Sequence, residues 1–214
     1  MQRRAVLFDV GGPLDMELAW EMAVDGAIAA ACGLQGIRVE PHMVEEASDA
    51  AVVAVAPDVY GAMIDDLCGG DPGTAARVRR AVAAMTGNLD AFQLRPGIDG
   101  MLRRLRGQGL RLAVVSDRPQ AARLARAGIS ELFDVIDAGG LAETCAALAE
   151  PPSGCIAVGD RLDADIAPAR ALGLATIQFR VGRWRRARPR SAAEEPDAVV
   201  TDVAELEAAI AALQ

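Results

Sequence analysis

Short apolar runs that stop on an acidic or small polar residue constrain this chain more than any other feature. Residues 5–8 stop at Asp9, residues 112–115 at Ser116-Asp117, residues 155–158 at Gly159-Asp160, and residues 198–200 at Thr201-Asp202. A weaker run at 133–136 and another at 175–179 complete the series. Continuous runs of this length suit parallel strands covered on both faces, because a half-exposed strand would alternate. Helical patterns lie between them. Ile98, Met101, Leu102 and Leu105 form one stripe, Arg103, Arg104 and Arg106 lie opposite, and Gly107 and Gly109 stop the pattern. Pro119 opens a predicted helix over 119–127, ending before Gly128. Further helices are predicted over 163–172, ending before Gly173, and over 202–213, with Val203, Leu206, Ile210 and Leu213 at helical spacing. Alternating strands and helices predict an α/β fold, a doubly wound parallel sheet.

One stretch breaks the alternation. From Asp15 to about Leu94 every signal is helical. An alanine-rich helix runs from Met16 to Ala31, and Pro41 opens a second. Val59, Met63 and Leu67 mark a third, stopped by Gly69-Gly70, and Asp71-Pro72 caps a fourth through Met85. The expected organisation is a core of residues 1–14 and 94–214, interrupted by a helical domain over 15–93.

Composition excludes several classes. With 22 basic and 30 acidic residues the net charge is −8, the opposite of the basic face that nucleic-acid binding needs. No apolar run approaches the ~18 residues of a membrane span. The opening Met1-Gln2-Arg3-Arg4 leads into only four apolar residues, too few for a signal-peptide core. A cytoplasmic protein without nucleic-acid or membrane partners is the expectation. Cys32, Cys68, Cys145 and Cys155 form no C-x-x-C pair and have no histidine at ligand spacing, so they read as buried thiols. His42 reads as a surface or satisfied side chain. Every basic residue is arginine.

In a doubly wound sheet, ligands bind beyond the carboxyl ends of the strands. The residues there are Asp9, Ser116 with Asp117, and Asp160 followed by Asp163 and Asp165. A single strand-end aspartate reads as a helix N-cap. Three such endings point to a site instead. Carboxylates brought together repel unless a hard divalent cation sits among them, and Mg²⁺ is held by one or two carboxylates, waters and substrate phosphate. A strand-end serine can hydrogen-bond a further phosphate oxygen.

These motifs resemble the haloacid dehalogenase (HAD) superfamily of hydrolases and phosphatases with a helical cap. Leu7-Phe8-Asp9-Val10-Gly11-Gly12-Pro13-Leu14-Asp15 is similar to the first motif, and Val114-Val115-Ser116-Asp117 to the second. The 158–169 stretch, with Gly159-Asp160 and Asp163-Ala164-Asp165, is similar to the last; Leu94-Arg95-Pro96-Gly97 resembles the return from cap to core. The resemblance implies a Rossmann-like core with runs in the spatial order 3-2-1-4-5 and a cap over 15–93 that selects substrate. It implies Asp9 as the nucleophile, forming an aspartyl-phosphate. It implies a Mg²⁺ cofactor held by Asp9, the Gly11 carbonyl, Asp160 and Asp165. Ser116 would be catalytic and would bind phosphate together with Asp117 and Gly12. The implied partner is a small phosphorylated substrate.

The chain departs from that pattern in three places. Gly11 stands where the phosphatases of the family carry a second aspartate as general acid and base. Asp117 stands where asparagine is common. The family has a lysine between the second and last motifs, and this chain has neither Lys nor Arg from Ala127 to Asp160. Arg118, Arg161 or the arginine-rich 180–190 loop could substitute. The loop otherwise reads as solvated, balanced by Glu194, Glu195 and Asp197, with Trp184 packed rather than stacked on a substrate. Segment 137–142 runs straight into a predicted short helix over 142–150. Three functions stay open: a Mg²⁺-dependent phosphatase, a catalytically degenerate binding or regulatory protein, and a metal-free haloacid dehalogenase.

Overall fold

The computed structural model describes residues 3–87 and 89–214; Met1, Gln2 and Asn88, with the opening of the N-terminal segment, lie outside the described residues. The chain divides into two compact units. The first comprises Met1–Met16, Gln93–Gly182 and Arg188–Gln214; the second comprises Glu17–Phe92 and Arg183–Ala187.

The first unit is built on five parallel strands: β1 (Ala5–Phe8), β2 (Arg111–Val114), β3 (Cys155–Gly159), β4 (Ala175–Phe179) and β5 (Ala198–Val200). Their order is β2-β1-β3-β4-β5. Every residue of β1, β3 and β4 is buried, as continuous apolar runs require. The run at 133–136 does lie beside β2, but only as a bridge between Ala113 and Val135. Asp134 explains the short pairing. Its carboxylate takes the Leu112 N–H at 2.9 Å and Arg106 at 3.0 Å, so a side chain replaces part of the ladder. The run at 198–200 extends the opposite edge. Counted by runs, the 3-2-1-4-5 order therefore stands, with the third run reduced to a bridge and a sixth added.

Helices of the first unit are α5 (Ile98–Gly107), α6 (Ala121–Arg126), α7 (Leu141–Ala147), α8 (Ala167–Leu172) and α9 (Val203–Leu213). The insertion before them supplies α1 (Leu18–Gly33), α2 (Pro41–Val53), α3 (Val59–Leu67) and α4 (Pro72–Thr86). On one sheet face, Ala5, Leu7, Ala113 and Ala157 pack with Cys145 and Leu148 after β2, and with Ala169 of α8. Helices α5 and α9 pack together, α5 also against β2 and α9 against β4 and β5. Three predicted boundaries shift. Helix α6 starts at Ala121 rather than Pro119, because Asp137 accepts the Gln120 and Ala121 N–H groups and fixes the first turn there. Helix α7 ends at Ala147, since Ala149 turns left-handed at φ 52° before Pro151. The predicted 163–172 helix is a π turn, Leu162–Ile166, followed by α8.

In the second unit, α1 packs on α4 and α2 on α3, and the buried apolar side chains include Ala27, Ile28 and Ala31 of α1; Ala75 and Val78 of α4; Ala47 and Val52 of α2; Met63 and Ile64 of α3. Asp58 and Asp71 cap α3 and α4, accepting the Gly61 and Thr74 N–H groups at 2.9 and 2.8 Å. Each carboxylate thereby satisfies an N–H that the first helical turn would leave without a partner. His42 is exposed on α2. All four cysteines are buried.

The arginine-rich loop reads from sequence as solvated, which holds for the exposed Arg185 and Arg186 but not for Arg183. The Arg183 side chain is only 5% exposed. Its guanidinium donates to Asp25 at 2.9 Å and to Ser48 Oγ at 2.5 Å and lies 4.8 Å over the Tyr60 ring. Its backbone N–H donates to Glu21 at 3.0 Å. Arg185 pairs with Glu45 and Asp49, and Arg186 with Asp49. Burial raises the Glu21 carboxyl above its ordinary range, although the Arg183 charge and N–H pull it down. The far end of the loop follows the expected balance, through Arg190 on Glu194.

Candidate active site

Three strand ends and one turn build the site. Asp9 follows β1, where its N–H donates to the Val158 carbonyl at 2.8 Å and carries the ladder one residue further. Asp160 follows β3 and is 4% exposed. Asp165 sits on the π turn, a wide turn that is often found at functional positions. One carboxylate oxygen from each of Asp9, Asp160 and Asp165 lies within 4.8 Å of the others. All three offer carboxylate oxygen, the donor type that a hard divalent cation such as Mg²⁺ takes.

Two glycines make room for these side chains. A Cβ on Gly12 would lie 2.8 Å from the Asp160 side chain, and one on Gly159 would lie 2.4 Å from Asp165. Gly12 also has φ 76°, where a side chain costs about 1–2 kcal/mol. Gly12→Ala should therefore lower unfolding stability by more than Gly109→Ala. Gly109 has φ 85° but nothing within 4 Å of a Cβ, so it isolates the backbone term. Equal losses in paired denaturant titrations would show that Gly12 is not needed for the Asp160 position.

Charge around the cluster is mostly negative. Arg161 donates to Asp163 at 2.7 Å, and its backbone N–H donates to Asp165 at 2.9 Å. The Asp163 bond holds the guanidinium above its usual range, with the fields of Asp165 and Asp160 adding to it. Burial pushes the Asp165 carboxyl up to about 6, against the Arg161 N–H and charge. A second cation, not expected at the site from sequence, is Arg95. Its Nε donates to the Gly12 carbonyl at 2.7 Å, and its guanidinium lies 4.8 Å over the Phe179 ring at the end of β4. Gly11 lies in the turn after Asp9 and offers no side chain.

Ser116 follows β2 by two residues. Its Oγ accepts Gln120 Nε2 at 3.1 Å and, at a longer 3.4 Å, the Arg118 N–H. The Asp117 side chain is 85% exposed and pairs with Arg118 at 3.4 Å. Of the residues expected from sequence, Asp9, Asp160 and Asp165 converge, with Gly12 against Asp160, while the Asp117 carboxylate faces solvent. Gln120 and Arg95 were missed as site residues. Gln120 stands four residues after Ser116, a spacing without meaning until the chain between them is seen to turn. Arg95 lay inside a noted motif, with no signal that it bonds Gly12.

Residues 138–206 match the family model described as HAD-hydrolase-like. Among curated proteins, none matches the sequence. Similar solved structures include a predicted phosphoglycolate phosphatase from Haemophilus somnus 129pt, at 21% identity over 96% of this chain and 97% of that one, TM-score 0.67. Another is from Bacillus subtilis, described as a HAD-hydrolase bound to magnesium, at 18% identity over 98% and 99%, TM-score 0.59. A third is a 2-haloacid dehalogenase from Pseudomonas syringae pv. Tomato DC3000, at 16% identity over 100% of both chains, TM-score 0.55. At these identities the likeness is one of fold, and it is shared by proteins named for different chemistries.

Proposed function

We propose that this HAD-like hydrolase is a Mg²⁺-dependent phosphatase of small phosphorylated metabolites, with Asp9 as its nucleophile. The observation that carries this reading is the convergence of Asp9, Asp160 and Asp165 oxygens within 4.8 Å. Carbon–halogen displacement needs no divalent cation, whereas three converging carboxylates favour one among them. Asp9, the Gly11 carbonyl, Asp160 and Asp165 would hold the metal, which when bound neutralises charge on the transferring phosphoryl group.

The residues of the chain divide the remaining work. An Asp9 oxygen attacks phosphorus in line with the leaving oxygen, giving an aspartyl-phosphate that water then opens. The Ser116 hydroxyl donates to a phosphoryl oxygen. Asp117, with its side chain turned to solvent, would contribute through its backbone alone, and Gly12 likewise. Gly11 supplies no proton to the leaving oxygen, so protonation falls to solvent. Lack of a positioned acid costs about 10²–10⁴-fold, which sets turnover below the ordinary enzyme range of ~1–10³ s⁻¹. Arg161 and Arg95 offset carboxylate charge where the family has a lysine. The helical unit, by its resemblance to a cap, is assigned to substrate choice.

Phosphate and halide release from a panel of phosphate esters and haloacids, with and without Mg²⁺, tests the reading. Phosphate release that needs Mg²⁺ supports it, and halide release that ignores Mg²⁺ overturns it. Asp160→Asn should weaken Mg²⁺ binding at least 10-fold by calorimetry while the fold is retained. Unchanged affinity would remove the metal from this position. The absent side chain at Gly11 favours a second reading, a binding protein that keeps the metal and has lost turnover. Mg²⁺ and phosphate binding with no release from any ester would identify it.

A further inference from the structure

Gln120 is 4% exposed, although it opens a short surface helix and is flanked by exposed Pro119 and Ala121. Two features hold it there. Its backbone N–H donates to both oxygens of Asp137, at 2.9 and 3.1 Å, and the next N–H, of Ala121, donates to Asp137 at 3.2 Å. Its side chain turns back on the chain, and Nε2 donates to Ser116 Oγ at 3.1 Å. Its Oε1 is buried and has no hydrogen-bond partner among the described residues. Burying half an amide unsatisfied is a cost that a fold normally avoids, and such groups concentrate where a structure serves something besides stability. Asp137 is itself held left-handed at φ 59°, a conformation few residues adopt. It lies in the very segment that, by resemblance, would carry the missing lysine. In place of a cation that segment supplies an anion, and the anion is engaged in fixing Gln120.

A serine hydroxyl has one proton to donate and two lone pairs to accept with. At Ser116 both partners, Gln120 Nε2 and the Arg118 N–H, are donors. Their bonds fill the lone pairs, and the hydroxyl proton is left as the one free valence. A phosphoryl oxygen can only accept. We propose that Gln120 is a positioning residue of the phosphoryl site: its amide sets the Ser116 hydroxyl as a donor, and Asp137 holds Gln120 in place to do so. This rests on the phosphatase reading. Amide oxygen and nitrogen are assigned from their surroundings, so the opposite orientation must be tested too. With the amide reversed, Oε1 would take the Ser116 proton and leave the serine unable to donate to phosphate.

The test is a double-mutant cycle on the whole protein, with Mg²⁺, p-nitrophenyl phosphate as substrate and inorganic phosphate as inhibitor. Gln120→Met keeps the volume and removes the bond. It should lower kcat/KM about 5–10-fold and weaken phosphate inhibition in step, the size expected for one hydrogen bond. Gln120→Glu, which accepts from Ser116 when ionised, should lower kcat/KM further, by about 10²-fold. Asp137→Ala should reproduce the Gln120→Met loss. In a Ser116→Ala background Gln120→Met should change nothing more, because a residue acting through Ser116 has nothing left to act on. Losses that multiply in the double variant would make Gln120 merely structural and overturn the proposal. So would wild-type behaviour of Gln120→Glu, which would assign the reversed amide. If the unaltered protein neither hydrolyses the ester nor binds phosphate, the phosphatase reading falls and this proposal with it. If the unaltered protein binds phosphate and Gln120→Met binds it equally, only the proposal falls.

Discussion

Asp9→Asn should abolish phosphate release, with a loss on the order of 10⁴-fold or more and a fold that is intact. An amide nitrogen or oxygen cannot form the proposed aspartyl-phosphate, so on that reading the variant removes the reacting atom itself. Asp9→Glu should fail as well, though less far. The longer side chain keeps the charge but displaces the oxygen by about 1 Å, and a misplacement of that size costs about 10²-fold. Both variants keep the ladder bond from the Asp9 N–H to Val158, so circular dichroism and unfolding should stay close to wild type. Phosphate release by Asp9→Asn within 10-fold of wild type would move the nucleophile elsewhere.

Arg183→Met should be the most destabilising single change in the helical unit. The guanidinium is buried and serves Asp25, Ser48 and the Tyr60 ring at once. Removing one partner of a buried ion pair costs about 3–5 kcal/mol, because the other is left uncompensated. For a chain of this size about 3 kcal/mol lowers the unfolding midpoint by roughly 6–12 °C. The loss should depend on pH in a definite direction. Burial already raises the Glu21 carboxyl in the folded protein, so ionised Glu21 opposes folding, and its contribution worsens as pH rises through that raised value. Without Arg183 the penalty for ionised Glu21 grows. The variant should therefore lose more stability at neutral pH than at acid pH, where Glu21 is protonated. Denaturant titrations at both values check this. A loss under about 1 kcal/mol at neutral pH would mean that solvent replaces the arginine.

How much was visible beforehand follows from the range of the interactions. The strands could be read because a parallel strand buried on both faces writes its environment into adjacent residues, as in the 5–8 and 155–158 runs. The three aspartates could be read because each follows such a run or its turn. The reduced third strand could not, since its pairing depends on whether the Asp134 side chain or the backbone takes the Leu112 N–H. Arg183 was hidden for a different reason. Its partners Asp25 and Ser48 lie 158 and 135 positions away, and no local pattern separates a buried arginine from the five solvated or surface-paired ones near it. Gln120 was hidden because an amide carries no charge and no periodicity. Only its burial singles it out.

The assignment of 183–187 to the helical unit means that the chain passes between the two units four times, at 16/17, 92/93, 182/183 and 187/188. A single inserted domain would need only two passages. Recombination that exchanged residues 17–92 as one cassette would bring in Glu21, Asp25 and Asp49 but leave behind Arg183, Arg185 and Arg186. Such a chimera inherits half-buried acids without these arginines as counter-ions, whatever the quality of the new helices. A compatible exchange has to carry the pentapeptide Gly182-flanked at 183–187 along with the long insert. Drift in either piece is then tied to the other, so the two should change together across relatives although some 90 residues of sequence separate them.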